Sequence, residues 1–508
     1  MDNEKTPVPA AEPWHRSRML MRNPVSLAGV ALALVGLANI FLFVLIDNIA
    51  VKPSPYIGIL AYMVSPGFLI LGLLIMVAGV FLERRKHFSR GAFYPRLDLN
   101  DPRQRSAAAS FVTFLVVFAV ISAAGSYKAY EFTESTSFCG QLCHTVMIPE
   151  FTAYQLSPHA RVACAECHVG PGATWFVKSK LSGSRQVFAA LFNTYPRPIP
   201  TPVQNLRPAQ ETCEQCPWPK KFYAEQLKIF SHYADDEKNT LHQVRMLIKT
   251  GGGDPATGAP EGIHWHMNIG NKIDYVASDA KRQVIPYVRV EDLQGRVTEY
   301  YAKDSTLSKD QIAKSDKHHM DCVDCHNRPT HIYVPPDSAV DQSMLARRID
   351  ASLPFVKQQA VTVLSATYKT SNEAQQAIAS GVQDFYEKKY PDIARSKQLE
   401  IRNAVAEVQQ IYGRTAFPDM KLNWQTHPNN LGHYYYPGCF RCHDGQHVSA
   451  DGKVIGKDCN QCHTMLSEAD GTAASATPAA APTFQHPVDI GDMSQVNCAD
   501  CHTGGVGP

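Results

Sequence analysis

All fourteen cysteines fall in seven close pairs: Cys139/Cys143, Cys164/Cys167, Cys213/Cys216, Cys322/Cys325, Cys439/Cys442, Cys459/Cys462 and Cys498/Cys501. In six of these the next residue is histidine, namely His144, His168, His326, His443, His463 and His502. Five of the six have the spacing C-x-x-C-H, and Cys139/Cys143 has three residues between its cysteines. C-x-x-C-H is the attachment code for haem c, in which the two thiols form thioethers with the porphyrin and the adjacent imidazole is placed beneath the iron. Zinc ribbons also pair cysteines but need no histidine after each second one. A chain so patterned folds around several covalently held haems, six by this count and a seventh if Cys213/Cys216 is used. Haem c is attached outside the cytoplasm, so the cysteine-bearing residues are expected in the periplasm. Lys plus Arg (49) and Asp plus Glu (47) nearly cancel, which argues against a nucleic-acid partner.

Three apolar runs supply the second constraint. Residues 25–46 exceed a signal-peptide core and lack a small-x-small cleavage site, so they read as a retained membrane helix. Residues 56–82 form a longer run that tolerates Pro66 and Gly67. The third, 107–124, reaches roughly 27 Å at about 1.5 Å per residue, close to the hydrocarbon thickness. Between the second and third runs lie Arg84, Arg85, Lys86, Arg90, Arg96, Arg103 and Arg105, whereas residues 47–55 hold only Lys52. The positive-inside rule therefore places the N-terminus and the 83–105 loop in the cytoplasm and residue 126 onward in the periplasm of a bacterial inner membrane.

The expected fold is mainly α: three transmembrane helices plus a periplasmic multihaem domain with little regular structure, a short β-hairpin and a haem-free helical segment. In order these are a cytoplasmic N-terminus (1–23), membrane helices at 24–46, 56–82 and 106–125 around the basic loop 83–105, a multihaem region (126–336), the helical segment (337–420) and a C-terminal three-haem region (421–508). β-rich stretches at 284–290 and 296–301 flank Asp292-Leu-Gln-Gly295, the signal for the hairpin. The helical segment lacks Cys and His, and its periodicity breaks at Pro354 and Pro391. Ala, Thr and Pro dominate 467–483, which reads as a low-complexity linker before the last motif.

A haem that only passes electrons needs a second axial ligand, usually His or Met. His15 and His87 fall on the cytoplasmic side, leaving twelve histidines outside the motifs. His159, His331 and His486 stand close in sequence to a motif. Then come His232, His242, one of His264/His266, one of His318/His319, and members of the set His427, His433 and His447. Met147, three residues after His144, is a further candidate at the first site. The third pair is followed by Pro217, which has no donor. Either a haem there takes a ligand from elsewhere, with Lys220 and Lys221 nearest, or the two cysteines form a disulfide.

The run Ser135-Thr-Ser-Phe-Cys139, His144 with Met147, Ser157-Pro-His159, Cys164-Ala-Glu-Cys167-His168-Val-Gly-Pro and Arg207-Pro-Ala-Gln-Glu-Thr-Cys213 resembles the NapC/NirT/NrfH membrane-anchored quinol dehydrogenases. With three spans and seven cysteine pairs, the whole chain is similar to the ImcH-like inner-membrane cytochromes of metal-reducing bacteria. The resemblance implies oxidation of menaquinol at the periplasmic face, beside the lipid bilayer, and electron delivery to periplasmic c-type cytochromes in anaerobic or extracellular respiration. It also implies a lysine after the second motif near the quinol, a place held here by Lys178 and Lys180. Where the family carries an acidic residue this chain has Ser182, Gly183, Ser184, Arg185 and Gln186, leaving Glu131, Glu134 and Glu150 as candidate proton acceptors. The alternative function is a terminal reductase of nitrite type, which would need an iron with an open position; the irregular Cys213/Cys216 site is the one hint of it.

Overall fold

The computed structural model describes residues 23–49, 65–87, 100–142, 144–169, 173–203, 209–213, 225–251, 262–267, 271–292, 294–470, 486, 491 and 496–506. They divide into two compact units, one through His144 and one from Thr145. The N-terminal 22 residues, most of the basic loop, Cys143, Cys216, Pro217, Lys220, Lys221 and 471–483 lie outside the described residues.

In the first unit, α1 (Pro24–Ile49) and α2 (Ser65–His87) are long and apolar enough to cross a membrane over Pro24–Leu42 and Ser65–Glu83. Apolar side chains gain little from each other in lipid, so such helices associate by close backbone approach and interhelical hydrogen bonds. Both are present. A Cβ on Gly29 would lie 2.3 Å from Met76 N, one on Gly72 2.4 Å from Ala33 N, and one on Gly36 2.6 Å from Leu69 N, so the two helices run antiparallel along a seam of small residues. At one end Asn23 Nδ2 donates to the Gly79 carbonyl (3.1 Å) and Ser26 Oγ to that of Met76 (3.2 Å). Gly72→Val is therefore expected to destabilise the pair by roughly 1–3 kcal/mol, seen as a lower thermal midpoint in detergent. Gly67→Val is the control, because a Cβ there meets nothing within 4 Å.

The third apolar run lies within α3 (Pro102–Glu134), one continuous helix opened by the Asp101 cap and Pro102. At about 1.5 Å per residue it is longer than a hydrocarbon core is thick. Val112, Val116, Val120 and Ile121 are exposed along it. A π-helical turn, Phe138–Leu142, follows, with Phe138 edge-on to Phe132 at 5.4 Å.

From the boundary onward come α4 (His144–Gln155), α5 (Cys164–His168), α6 (Ala173–Leu191) and α7 (Ala209–Cys213), then strands β1 (Glu225–Tyr233) and β2 (Leu241–Lys249). A 3₁₀ turn at Ile263–Met267 leads to β3 (Lys272–Val276), β4 (Tyr287–Glu291) and β5 (Val297–Ala302), then α8 (Lys309–Lys314), β6 (His318–His319) and α9 (Cys322–Cys325). Five helices follow: α10 (Pro336–Leu345), α11 (Val356–Ser365), α12 (Ser371–Lys389), α13 (Pro391–Ser396) and α14 (Gln398–Thr415). The chain closes with β7 (His447–Ser449), β8 (His463–Asp470) and α15 (Cys498–Cys501).

Among these, β4 and β5 pair antiparallel around Gly295, whose φ of +72° suits glycine in a tight turn. The expectation of little regular structure is corrected. The described residues build a three-stranded sheet, β1-β2-β8, and a five-stranded one, β6-β3-β4-β5-β7, every pairing antiparallel. The cause is non-local pairing: β2 takes its second neighbour from the stretch after the sixth motif, with Leu247 opposite Thr464. β1 leaves Leu227, Ile229 and Phe230 exposed, so no alternating buried face marks it in the sequence. Residues 467–470, expected to begin the linker, are instead the end of β8.

Helices α10 to α14 enclose the largest apolar core, with Val340, Leu353, Ala374, Ile378, Tyr386, Ala404 and Ile411 fully buried. Pro354 lies before α11 and Pro391 opens α13, where a missing N–H costs nothing. The haem-motif regions have much smaller clusters, around Tyr333, Phe417 and Trp424, around Ile273, Tyr275 and Val288, and around Val276, Tyr287 and Ile312.

Candidate functional site

Each C-x-x-C-H motif needs a local structure that brings two thiols and an imidazole to one side. In α5, α9 and α15 the two cysteines lie three apart on one helical turn. Asp321 and Asp324 form a capping box across the fourth motif, and Asn497 and Asp500 across the seventh, so residues between the cysteines also build the turn. Short 3₁₀ turns, Gly438–Arg441 and Cys459–Gln461, do the same for the fifth and sixth.

In five of the motifs the described histidine after the second cysteine meets a second histidine. Ring centroids are 6.2 Å apart for His168 and His331, 6.4 Å for His326 and His264, and 5.8 Å for His443 and His266. They are 6.3 Å apart for His463 and His433, and 6.0 Å for His502 and His486. Two imidazoles on opposite sides of one metal ion, each at about 2.0–2.1 Å and with ring centres about 1.1 Å further out, have centroids roughly 6.2–6.4 Å apart. The five spacings cluster around that figure, so the donor set fits iron held between two imidazoles.

Tautomer and protonation agree. His331 Nδ1 faces the Glu150 carbonyl (3.1 Å), His266 Nδ1 that of Ile263 (2.7 Å) and His443 Nδ1 that of Gly456 (3.0 Å), which leaves Nε2 of each for a metal. Burial holds His168, His266, His326, His331, His433, His463 and His502 below their usual pKa, in the neutral form that binds metal.

The other candidates are placed differently. His159 Nδ1 faces the Pro329 carbonyl at 3.2 Å. His447 spends both ring nitrogens, on Asp444 (2.9 Å) and the Ile285 carbonyl (2.7 Å), and so locks β7 to the residues before β4. His318 lies against Tyr275 (5.4 Å) and His319 against Asp274 (3.0 Å). His232 and His242 face each other in register across β1 and β2, and His232 Nδ1 is 2.9 Å from Asp341. His427 is buried, with Nδ1 3.0 Å from Thr201 Oγ1 and Nε2 without a hydrogen-bond partner; burial, then Arg328, takes its pKa down to about 4. Met147 is one turn beyond His144 on α4.

Cys213 ends α7, whose first residue, Ala209, donates its N–H to Asp321 (2.9 Å). The Cys213 thiol hydrogen-bonds that of Cys322 and pushes its pKa up. The third pair therefore begins against the fourth motif. Of the candidate proton acceptors, Glu131 is paired with Lys128 (2.7 Å), and Glu150 accepts from Tyr333 (2.5 Å) with Arg328 at 3.6 Å. On α6, Lys178 sits over the Trp175 ring at 4.7 Å.

Family models match two parts of the chain: the N-terminal region of the NapC/NirT cytochrome c family over residues 101–211, and cytochrome c3 over residues 433–505. Across 498 residues the chain is 47% identical to the cytochrome c-type protein ImcH of Geobacter sulfurreducens, covering 96% of this chain and 97% of that one. The chain belongs to the ImcH-like c-type cytochromes. It is thus a membrane-anchored multihaem cytochrome of electron transfer that carries a NapC/NirT domain. No solved structure matches it.

Sequence reading missed the residues that orient these rings. Trp265 between His264 and His266, and Arg441 inside the fifth motif, carry no signature. Among the described residues, the one group of three or more His and acidic side chains tight enough for a metal ion, His232, Asp337 and Asp341, holds the Lys357 ammonium, 2.5 Å from Asp337 and 2.6 Å from Asp341.

Proposed function

We propose that this cytochrome oxidises menaquinol at the periplasmic face of the inner membrane and passes electrons along its haems to periplasmic c-type cytochromes. The excess of Arg and Lys over residues 83–105 against the single Lys52 in 47–55 supports that orientation, with α3 read as the third span. Haem c, when bound, supplies one-electron chemistry at each iron. The chain's own residues set where that happens: His331, His433 and His486 would provide the second ligands to the haems of His168, His463 and His502, and desolvation holds His168, His331, His433, His463 and His502 toward the neutral form.

The observation that carries the quinol half of the proposal is α6, directly after the second motif. Leu181, Phe188, Leu191 and the following Phe192 are 70%, 62%, 74% and 72% accessible, with Arg185 one turn from both Leu181 and Phe188 and with Ser182 and Gln186 exposed to the side. A helix that exposes large apolar side chains beside Lys and Arg is suited to a lipid interface, where quinol is reached, and its lysines can bond a quinol hydroxyl. Quinol oxidation releases two protons, so a base is needed; Glu131, Glu134 and Glu150 are the candidate acceptors.

In detergent-purified protein a menaquinol analogue is expected to reduce the haems, read in the Soret and α bands. Lys178→Ala and Lys180→Ala together should slow that reduction about tenfold, or about 1.4 kcal/mol, with haem content unchanged. An analogue that reduces nothing removes the quinol role; high-spin iron that binds nitrite transfers the reading to a reductase.

A further inference from the structure

The turn Ile263–Met267 carries two histidines one residue apart, and they face different motifs. His264 looks at His326, the histidine of the fourth motif, and His266 at His443, that of the fifth. Sequence alone leads to an expectation of one ligand from this pair; the structure brings both rings to motif partners. The turn is built to do so. Gly262 enters it at φ +79°, a conformation glycine adopts freely, and a Cβ there would come within 2.5 Å of the Lys249 carbonyl. His264 N–H donates to the Thr250 carbonyl (2.9 Å), and Asn271 Nδ2 to that of Trp265 (2.9 Å). Between the two histidines, Trp265 packs on the apolar cluster of Ile273, Tyr275, Ile285 and Val288, which Cys442 of the fifth motif also joins.

The two attachment turns are also tied directly. Arg441, between Cys439 and Cys442, donates from Nη2 to the carbonyl of Asp324, between Cys322 and Cys325 (2.8 Å), from Nη1 to Arg282 O (2.8 Å) and from Nε to Gly438 O (2.8 Å). Asn430 Nδ2 reaches the same Asp324 carbonyl at 3.0 Å. Asp324 is in turn held by Tyr275 (2.5 Å) and Arg282 (3.0 Å).

We propose that this single turn supplies the second axial ligand to two different haems, His264 to the one at Cys322/Cys325 and His266 to the one at Cys439/Cys442. The two haems are thereby clasped as a pair, by the His264/His266 turn at their distal faces and by Arg441 at their attachment turns. Two axial ligands one residue apart on a short helical turn cannot move independently, so the spacing of the two irons is set by backbone geometry. The inference rests on the haem reading of these motifs but not on the quinol role.

The test uses the full-length holoprotein in detergent, with His264→Ala, His266→Ala and the double variant. Covalent haem, counted by intact mass, should stay at the parental number. Electron paramagnetic resonance and magnetic circular dichroism should show one low-spin iron converted to high-spin in each single variant and two in the double, with added imidazole restoring low spin. His264→Met and His266→Met keep a ligand in place should the alanine variants fail to mature; each should give one low-spin haem with an iron–sulfur charge-transfer band. A double variant that alters one haem or none, or a single variant that alters two, overturns the proposal. If quinol still reduces the haems in that case, the functional reading stands without it.

Discussion

Lys357→Ala is expected to destabilise the second unit by about 3–5 kcal/mol, measured as a fall in thermal or denaturant midpoint. Lys357 is fully buried on α11 and touches two carboxylates on α10, Asp337 at 2.5 Å and Asp341 at 2.6 Å, as well as the Asp337 carbonyl at 2.7 Å. Tyr435 donates to Asp337, and the Tyr233 N–H to Asp341. Removing the buried lysine leaves two buried carboxylates with only the half-exposed His232 to balance them, which costs more than the pair's formation contributes. Lys357→Met, which keeps most of the volume, separates charge from cavity: its loss should remain large, and adding Asp337→Asn with Asp341→Asn should recover much of it.

The pH dependence has a definite sign. Burial works against the Asp337 carboxylate, but Lys357 and His232 outweigh it and hold the group below its usual 3.8. A depressed carboxylate contributes stability above about pH 3.8 and loses it as pH falls through the lower folded value. Burial also works against protonated His232, but Asp341 and Asp337 outweigh it and raise the group above 6.5, so its contribution is complete below pH 6.5 and disappears as pH rises through the folded value. The parent should therefore be most stable between these limits. In Lys357→Ala burial dominates at Asp337 and raises it, so the variant should gain stability as pH falls from neutrality toward about 5. A variant whose stability loss does not change with pH would contradict this account.

The second large effect is that of haem itself. When the chain is made in cells without the c-type maturation machinery, the regions carrying the motifs are expected not to fold, whereas α10 to α14 should survive limited proteolysis as a helical fragment. The physical reason is where apolar area is buried. The helical segment closes its own core around Leu353, Ile378, Tyr386 and Ile411. The motif regions have only small separate clusters and several buried polar atoms without partners, among them His433 Nδ1, His463 Nδ1 and His427 Nε2. Such groups cost free energy unless something else fills the space. Full protease resistance of the unmatured chain would show that side chains alone suffice.

The same contrast explains what could be read in advance. Local code was legible: apolar runs became α1, α2 and α3, and Gly295 turned β4 into β5. The strands β1, β2 and β8 were not, because Leu227, Ile229 and Phe230 stay exposed and the ladder joins residues far apart in the chain. Nearness in sequence was a poor guide to the ligands. His331 stands beside the fourth motif yet faces His168 of the second, while His159, just before the second motif, is held at the Pro329 carbonyl.

By itself the sequence determined that the chain is a c-type cytochrome with histidine-bearing cysteine pairs and that it is anchored in a membrane. Each of these is written within a few consecutive residues, where covalent geometry and apolar length leave little freedom. Only the tertiary structure decided which second histidine meets each of five motif histidines, and that one turn faces two of them. Opposite ligands of a metal come from different elements, and the fold alone brings those elements within about 6 Å of each other.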